Sequence, residues 1–149
     1  MPQTMTRVLL AEDNEIVRRG IRRLLDKAED IEVVGEARNG VEALRLVDEL
    51  RPDVLLLDVE MPLLNGIKVA KQLIKKEGRN TRILVLSAYD DQEYIYAMLA
   101  NGASGYLIKD EAPQRIIEAV RGIAQGETGW VSPQVLAKLR RMNASQSGL

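Results

Sequence analysis

Five polar residues stand directly after short apolar runs of this sequence, where their side chains could do chemistry. Glu12 and Asp13 follow the first run, Asp58 the third, Ser87 the fourth and Lys109 the fifth. If the runs are strands of one parallel sheet with the first beside the third, the three carboxylates share a pocket and repel one another unless a cation compensates. Carboxylate oxygens suit a hard metal ion such as Mg²⁺. The pattern therefore predicts a Mg²⁺ site beside a hydroxyl and an ammonium group.

This set of groups is suited to phosphoryl transfer. Such a reaction needs mainly in-line positioning and neutralisation of spread charge. A bound Mg²⁺ could bridge Asp58 and an incoming phosphoryl group, while Lys109 and Ser87 contact its other oxygens. Asp58 is then the predicted nucleophile and would form an aspartyl phosphate. A dinucleotide site is disfavoured, because the acidic turn at residues 11–14 contains no glycine.

The composition narrows the possible chemistry further. The 149 residues include no Cys and no His, which excludes disulfides, thiolate chemistry, Ser-His triads and His-ligated zinc. Lys and Arg total 21 against 22 Asp and Glu, so the net charge of -1 gives no general attraction for nucleic acid or acidic membranes. The amino terminus lacks the apolar stretch of a secretory signal, and no run approaches a membrane span, which predicts a cytoplasmic location.

The elements that must position these residues are repeated βα units. Apolar runs alternate with helix-period segments five times between Arg7 and about Gln125, as in a parallel sheet covered by helices. The predicted fold is α/β, a flavodoxin-like (βα)5 doubly wound sandwich with a five-stranded parallel sheet of order 2-1-3-4-5. The predicted central strands are unbroken apolar runs at residues 8–11, 54–57 and 83–86. The run at residues 31–37 carries carboxylates and a glycine, which favours an edge position.

The pattern changes after Gly126, which predicts a domain over residues 1–125 and a linker over residues 126–149. Residues 126–130 indicate a turn, and Ser132 and Pro133 indicate the start of a short helix that ends at Met142, followed by a polar tail. The apolar residues of this helix region are expected to pack on the domain rather than bind a partner. They are Val131, Val135, Leu139 and Met142.

Several short stretches, in this order and spacing, resemble the receiver domains of two-component response regulators. The resemblance is greatest to the NarL/FixJ group, whose receivers are usually joined to a LuxR-type helix-turn-helix domain. It covers roughly residues 6–125, and residues 130–142 are similar to the linker helix of that group. The matching stretches lie at residues 8–14, 57–62, 65–66, 86–88 and 102–110.

The resemblance implies a role for each residue of the predicted pocket. Asp58 accepts a phosphoryl group from a sensor histidine kinase, Asp13 and Asp58 ligate Mg²⁺ directly, Glu12 assists through water, and the Glu60 backbone carbonyl is a further ligand. Lys109 and Ser87 assist the transfer, and Ser87 and Tyr106 form a conformational switch. Residues with these roles are Glu12, Asp13, Asp58, Glu60, Ser87, Tyr106 and Lys109.

The resemblance also implies how the whole protein works. A receiver controls an output, here transcription, can form a homodimer on phosphorylation, and is not a turnover enzyme on a separate substrate. DNA would be bound only through an output domain, and the 149 residues supply no basic recognition helix. Three positions vary within the family: Asp110 stands where a proline is commonest, and the Glu60 side chain and Tyr89 occupy positions that tune hydrolysis of the aspartyl phosphate.

Alternatives remain for single residues and for the function. Asp13 or Asn14 could simply cap the first helix, and Lys109 could be a solvated lysine. Ser87 could be an ordinary loop hydroxyl, and Tyr106 could half-cover an edge strand. In a second hypothesis, Asp58 and Glu60 are the nucleophile and acid of a haloacid-dehalogenase-like phosphatase, although they follow the third strand and no substrate cap is present. A third hypothesis is a degenerate receiver that serves only as an interaction module.

Overall fold

A computed structural model describes residues 5–76 and 80–147, and shows one parallel sheet with helices on both faces. The strands are β1 (Thr6–Ala11), β2 (Ile31–Ala37), β3 (Val54–Leu57), β4 (Arg82–Ser87), β5 (Gly105–Ile108) and β6 (Trp130–Val131). The helices are α1 (Glu15–Asp26), α2 (Gly40–Leu50), α3 (Gly66–Ile74), α4 (Gln92–Ala100), α5 (Ala112–Ala124) and α6 (Pro133–Ser147). A short 3₁₀ turn, Lys109–Glu111, joins β5 to α5.

The sheet separates two apolar cores, because successive side chains of a strand point to opposite faces. Leu9 and Leu55 face the core that α2, α3, α4 and α6 cover, whereas Val8 and Val54 face the core that α1 and α5 cover. The strand order is β2-β1-β3-β4-β5-β6 and every pairing is parallel. The flavodoxin-like prediction is confirmed, including the edge position of β2.

The predicted strand count was one short, because β6 adds a sixth strand beside β5. Trp130 and Val131 pair with Gly105 and Tyr106, within a segment that the sequence indicated as a turn. A strand of two residues carries no recognisable alternation of polar and apolar side chains. Its tryptophan also needs space, since a β-carbon added at Gly105 would lie 2.5 Å from the Trp130 carbonyl oxygen. Glycine at position 105 is therefore what allows β6 to approach.

Helix α6 packs on the same side of the sheet as α4, and runs beyond Met142, where the sequence predicted its end. Val135 is fully buried, and Val131 and Leu139 pack against the same core. The predicted packing surface is confirmed for these three residues, while the side chain of Met142 lies outside the described part of the structure. Within the described residues no helix is both long and apolar enough to cross a membrane.

Three helices begin with an asparagine cap near the carboxyl edge of the sheet. The side chains of Asn14, Asn39 and Asn65 each accept a hydrogen bond from the backbone N–H three residues later. Such caps satisfy backbone donors that have no partner inside the helix. The cap of α1 is thus made by Asn14 and not by Asp13, so the capping alternative does not account for the Asp13 carboxylate.

Candidate functional site

Three carboxylates meet where β1 and β3 end. The strands pair in register, with Ala11 opposite Leu57, so the residues that follow them are neighbours. Glu12, Asp13 and Asp58 each offer an oxygen within 4.8 Å of the other two. Glu12 and Asp58 are buried, with exposed fractions of 2% and 6%, whereas Asp13 is exposed. The sequence-based expectation that these residues converge agrees with this geometry.

The Lys109 side chain reaches the same carboxylates from the end of β5. Its Nζ lies 2.8 Å from Glu12 Oε2 and 3.2 Å from Asp58 Oδ2, so it forms an ion pair with each. The lysine side chain is only 20% exposed, which rules out the alternative of a fully solvated residue. One ammonium therefore faces two buried carboxylates, and their charges are only partly neutralised.

The pKa of Asp58 is raised to about 7 in this environment. Burial is the main cause, because it disfavours the charged form, and the neighbouring Glu12 charge adds to it; Lys109 acts in the opposite direction. Burial alone would lower the pKa of Lys109, but its hydrogen bond to Glu12 and the nearby charges outweigh burial and raise it. The lysine stays protonated at neutral pH, while Asp58 holds its proton more tightly than an ordinary aspartate.

The raised pKa of Asp58 should make the fold less stable as pH rises in buffer containing a chelator. Between the unfolded pKa near 4 and the folded pKa of about 7, the folded state binds the extra proton, so the free energy of unfolding falls with increasing pH. The expected loss attributable to Asp58 is roughly 2–4 kcal/mol. Urea unfolding of the wild type and Asp58→Asn at about pH 5 and about pH 8 measures it. Equal pH dependence in both proteins would contradict the assignment.

The backbone after Asp58 is packed tightly against the start of α3. The Glu60 N–H donates to Asp58 Oδ1 at 3.3 Å, and the Gly66 N–H donates to the Val59 carbonyl at 2.7 Å. A β-carbon at position 66 would lie 2.3 Å from the Asp58 carbonyl oxygen. Because Gly66 has no side chain, the start of α3 can lie against the Asp58–Glu60 backbone. The hydrogen bond from the Gly66 N–H then holds that backbone in place.

Gly66→Ala should destabilise the protein, because the added methyl group forces the Asp58 backbone or helix α3 to move. We expect the free energy of unfolding to fall by about 1–3 kcal/mol. Gly20→Ala is the matched control, since a β-carbon there meets no atom within 4 Å and the site lies inside helix α1. That control should gain about 0.5–1 kcal/mol. Thermal or urea unfolding of both variants distinguishes close packing from glycine flexibility.

Ser87 and Tyr106 lie on the neighbouring strands β4 and β5 and are linked through the backbone of Tyr89. The Ser87 hydroxyl accepts a hydrogen bond from the Tyr89 N–H at 3.0 Å, and the Tyr106 hydroxyl donates to the Tyr89 carbonyl at 2.8 Å. Ser87 and Tyr106 are both fully buried, and burial raises the pKa of Tyr106 to about 12. The alternative in which Tyr106 half-covers an edge strand is wrong, because β6 lies beyond β5 and the ring is inaccessible.

The carboxylates open into a cleft of about 670 Å³. Its lining includes Glu60, Lys109 and two tyrosines, Tyr89 and Tyr94. The Tyr94 hydroxyl donates to the Glu60 carboxylate at 2.9 Å, and its ring meets that of Tyr89 edge-on. The cleft is large enough for a phosphoryl-sized group above Asp58. The acidic residues in its lining offer carboxylate oxygens, which are the ligands that a hard divalent cation prefers.

Two residues that touch the site were not found from the sequence. Tyr94 gave no signal, because its partner Glu60 is distant along the chain. Arg18 did give one, since it stands on the face of α1 that also buries Ile21 and Leu25. A charge at helical spacing from core residues needs a buried partner, and such a residue is a candidate for a structural or functional role.

Comparison with known proteins gives a consistent result. The sequence pattern of the response regulator receiver domain family matches residues 8–121. The oxygen regulatory protein NreC of Staphylococcus epidermidis is 43% identical over 122 residues, which is 82% of this chain and 56% of that protein. The transcriptional regulatory protein LiaR of Bacillus subtilis is 40% identical over 139 residues, covering 91% of this chain and 65% of that protein. The chain thus spans little more than half the length of NreC.

Solved structures show the same relationship. The signal receiver domain of the response regulator NarL from Mycobacterium tuberculosis superposes with a TM-score of 0.78 at 37% identity, covering 85% of this chain and all of that one. A LuxR-family two-component response regulator from Aurantimonas sp. SI85-9A1 gives a TM-score of 0.87 at 28% identity, covering 95% of this chain and 99% of that one.

Proposed function

The chain belongs to the family of response regulator receiver domains, and we propose that its acidic cleft binds Mg²⁺ and accepts a phosphoryl group on Asp58. The observation that carries this proposal is the convergence of Glu12, Asp13 and Asp58 within 4.8 Å, with Lys109 paired to two of them. Three carboxylates and one ammonium leave negative charge uncompensated. A divalent cation would neutralise that charge.

The proposed ligands come from the two loops that end β1 and β3. Asp13 and Asp58 would bind the ion directly, Glu12 would act through water, and the Glu60 backbone carbonyl would be a further ligand. When bound, Mg²⁺ supplies positive charge next to the phosphoryl oxygens. Its binding should also release the extra proton of Asp58, because a carboxylate must be ionised to act as a ligand or a nucleophile.

The proposed transfer is a displacement at phosphorus. An ionised Asp58 oxygen attacks the phosphorus atom of the donor, the bond from phosphorus to the donor breaks, and the donor leaves with that electron pair. Lys109 Nζ forms an ion pair with Asp58 Oδ2, and it can contact a phosphoryl oxygen once negative charge develops there. The cleft above Asp58 leaves room for the donor, such as the phosphorylated histidine of a sensor kinase.

The proposed readout passes through the backbone of Tyr89. If the Ser87 hydroxyl turns toward the phosphoryl group, the Tyr89 N–H loses its acceptor. The Tyr89 carbonyl accepts the hydrogen bond from the Tyr106 hydroxyl, so a movement of the Tyr89 backbone changes the environment of the Tyr106 ring as well. The switch then consists of a shift between two arrangements of one loop, with Ser87 and Tyr106 as its ends.

For the whole protein we propose transcription control by a two-component system in the cytoplasm. A sensor histidine kinase would supply the phosphoryl group, residues 1–125 would form the receiver, and residues 126–149 would lead toward a DNA-binding output domain. LiaR is described as a transcriptional regulatory protein, and the relatives extend beyond the region that this chain matches. Homodimerisation on phosphorylation is part of the proposal, and so is the view that the chain has no separate substrate.

The phosphatase hypothesis and the degenerate-receiver hypothesis are affected differently by these observations. The phosphatase hypothesis is not supported, since the family assignment and the solved structures all point to receivers. In addition, the Glu60 carboxylate, its proposed acid, is bound by Tyr94 at the rim of the cleft. The degenerate-receiver hypothesis makes an opposite prediction for metal binding and is decided by experiment.

The test is to incubate the protein with a small phosphodonor, with and without Mg²⁺. The expected result is a Mg²⁺-dependent, hydroxylamine-labile modification that maps to Asp58. Calorimetry with Mg²⁺ alone is run in parallel. Binding without modification would reject the phosphoacceptor role, and absence of both would favour the interaction module.

A further inference from the structure

Arg18 is a buried cation that the reaction described above does not use. It lies on helix α1 and is only 5% exposed. Its Nη1 donates to the Glu12 carbonyl oxygen at 2.9 Å, and its Nε donates to Glu36 Oε1 at 3.0 Å. A buried guanidinium is costly unless its partners are well placed, and here they are a backbone carbonyl and a carboxylate on different elements. The residue therefore connects α1, the end of β2 and the acidic turn.

The carbonyl that Arg18 holds belongs to the peptide between Glu12 and Asp13. Fixing that carbonyl fixes the plane of the peptide, and with it the direction in which the chain leaves toward the Asp13 side chain. The other side of Glu12 is also tied to β2, because its N–H donates to the Ala37 carbonyl at 3.0 Å. Glu36 precedes Ala37, so both attachments of the turn lead to the same strand end. The peptide groups on both sides of Glu12 are thus tied to the end of β2. One is held by a direct hydrogen bond, and the other through Arg18 and Glu36.

We propose that Arg18 is a positioning residue that holds the Glu12–Asp13 turn in the geometry required for Mg²⁺ binding. The proposal rests on the proposed function of the acidic cleft and adds a residue to it. Partners that orient metal ligands typically change metal affinity 10- to 100-fold when they are removed. Arg18 would act in this way through the backbone of the ligands instead of their side chains.

Charge and positioning predict opposite results for this residue. Arg18 is positive and close to the cation site, so removing its charge would by Coulomb's law strengthen Mg²⁺ binding. Loss of positioning would weaken it, because the turn could then relax away from Asp58. The sign of the change in Mg²⁺ affinity therefore separates the two roles, and a merely structural role would leave the affinity of the folded protein unchanged.

Arg22 provides a matched control on the same helix. It pairs with the same carboxylate, Glu36, but in the described structure it makes no hydrogen bond to the acidic turn. Arg18→Gln and Arg22→Gln therefore remove the same charge and the same kind of partner for Glu36. They differ in the contact with the Glu12 carbonyl and in burial, since the Arg18 side chain is 6% exposed and that of Arg22 is 43% exposed.

The experiment is Mg²⁺ calorimetry on the full chain, with urea unfolding in chelator measured separately. Arg18→Gln should raise the Mg²⁺ dissociation constant about 10-fold, while Arg22→Gln should leave it within about two-fold. Arg18→Lys and Arg22→Lys keep the charge, and lysine lacks the planar fork that reaches both acceptors of Arg18. Arg18→Lys should therefore also weaken binding, about three-fold or more, whereas Arg22→Lys should not.

Three results would contradict either the role proposed for Arg18 or the proposed function of the cleft. Equal or tighter Mg²⁺ binding by the Arg18 variants, relative to their Arg22 counterparts, would overturn the proposal. Failure of both Arg18 variants to fold would overturn it too, because it would assign Arg18 to the core alone. If the wild type itself binds no Mg²⁺, the proposed function of the cleft fails instead, independently of Arg18.

Discussion

Asp58→Asn should abolish modification by a small phosphodonor in the presence of Mg²⁺. The amide has nearly the shape of the carboxylate but carries no ionised oxygen to attack phosphorus. We expect no detectable aspartyl phosphate by mass spectrometry of the intact protein.

The control for this loss is Asp26→Asn, which changes an exposed aspartate at the end of α1. That variant should be modified at the wild-type rate. Asp58→Asn should remain folded, and in chelator at about pH 8 it should be more stable than the wild type, because it removes the repulsion from Glu12. Modification of Asp58→Asn to the wild-type extent would show that another residue accepts the phosphoryl group.

The convergence of the three carboxylates could be predicted from the sequence because these residues stand at strand ends. Unbroken apolar runs identify buried parallel strands, and the residue after each run must lie at the carboxyl edge of the sheet. Once β1 and β3 are adjacent, Glu12, Asp13 and Asp58 have little freedom to separate. Lys109 follows β5 at the same edge of the sheet, and its side chain is long enough to reach the carboxylates from there.

The features that the sequence did not reveal depend on contacts between distant elements. Strand β6 exists because Trp130 fits over two glycines, Gly105 and Gly122, and no local pattern encodes that fit. The burial of Tyr106 follows from β6, so its environment could not be predicted until the sixth strand was known. The role that we propose for Arg18 depends on the direction of the Glu12 carbonyl group, which the order of residues does not show.

Lys109→Gln should separate Mg²⁺ binding from phosphoryl transfer. The lysine ammonium forms ion pairs with two of the carboxylates proposed to bind the cation, at 2.8 Å from Glu12 and 3.2 Å from Asp58. Without that competing charge, Mg²⁺ should bind several-fold more tightly. The rate of phosphorylation should nevertheless fall about 100-fold, because a donor aimed at the developing phosphoryl charge is lost.

Lys71→Gln, on the exposed face of α3, is the control for loss of a lysine charge and should change neither quantity. The two measurements are the calorimetric dissociation constant for Mg²⁺ and the initial rate of modification as the Mg²⁺ concentration is raised to saturation. A slower rate that is fully restored by more Mg²⁺ would mean that Lys109 only helps to hold the ion. A slower rate that persists at saturation would place the lysine in the transfer step, because ground-state occupancy of the cleft would then be equal in both proteins.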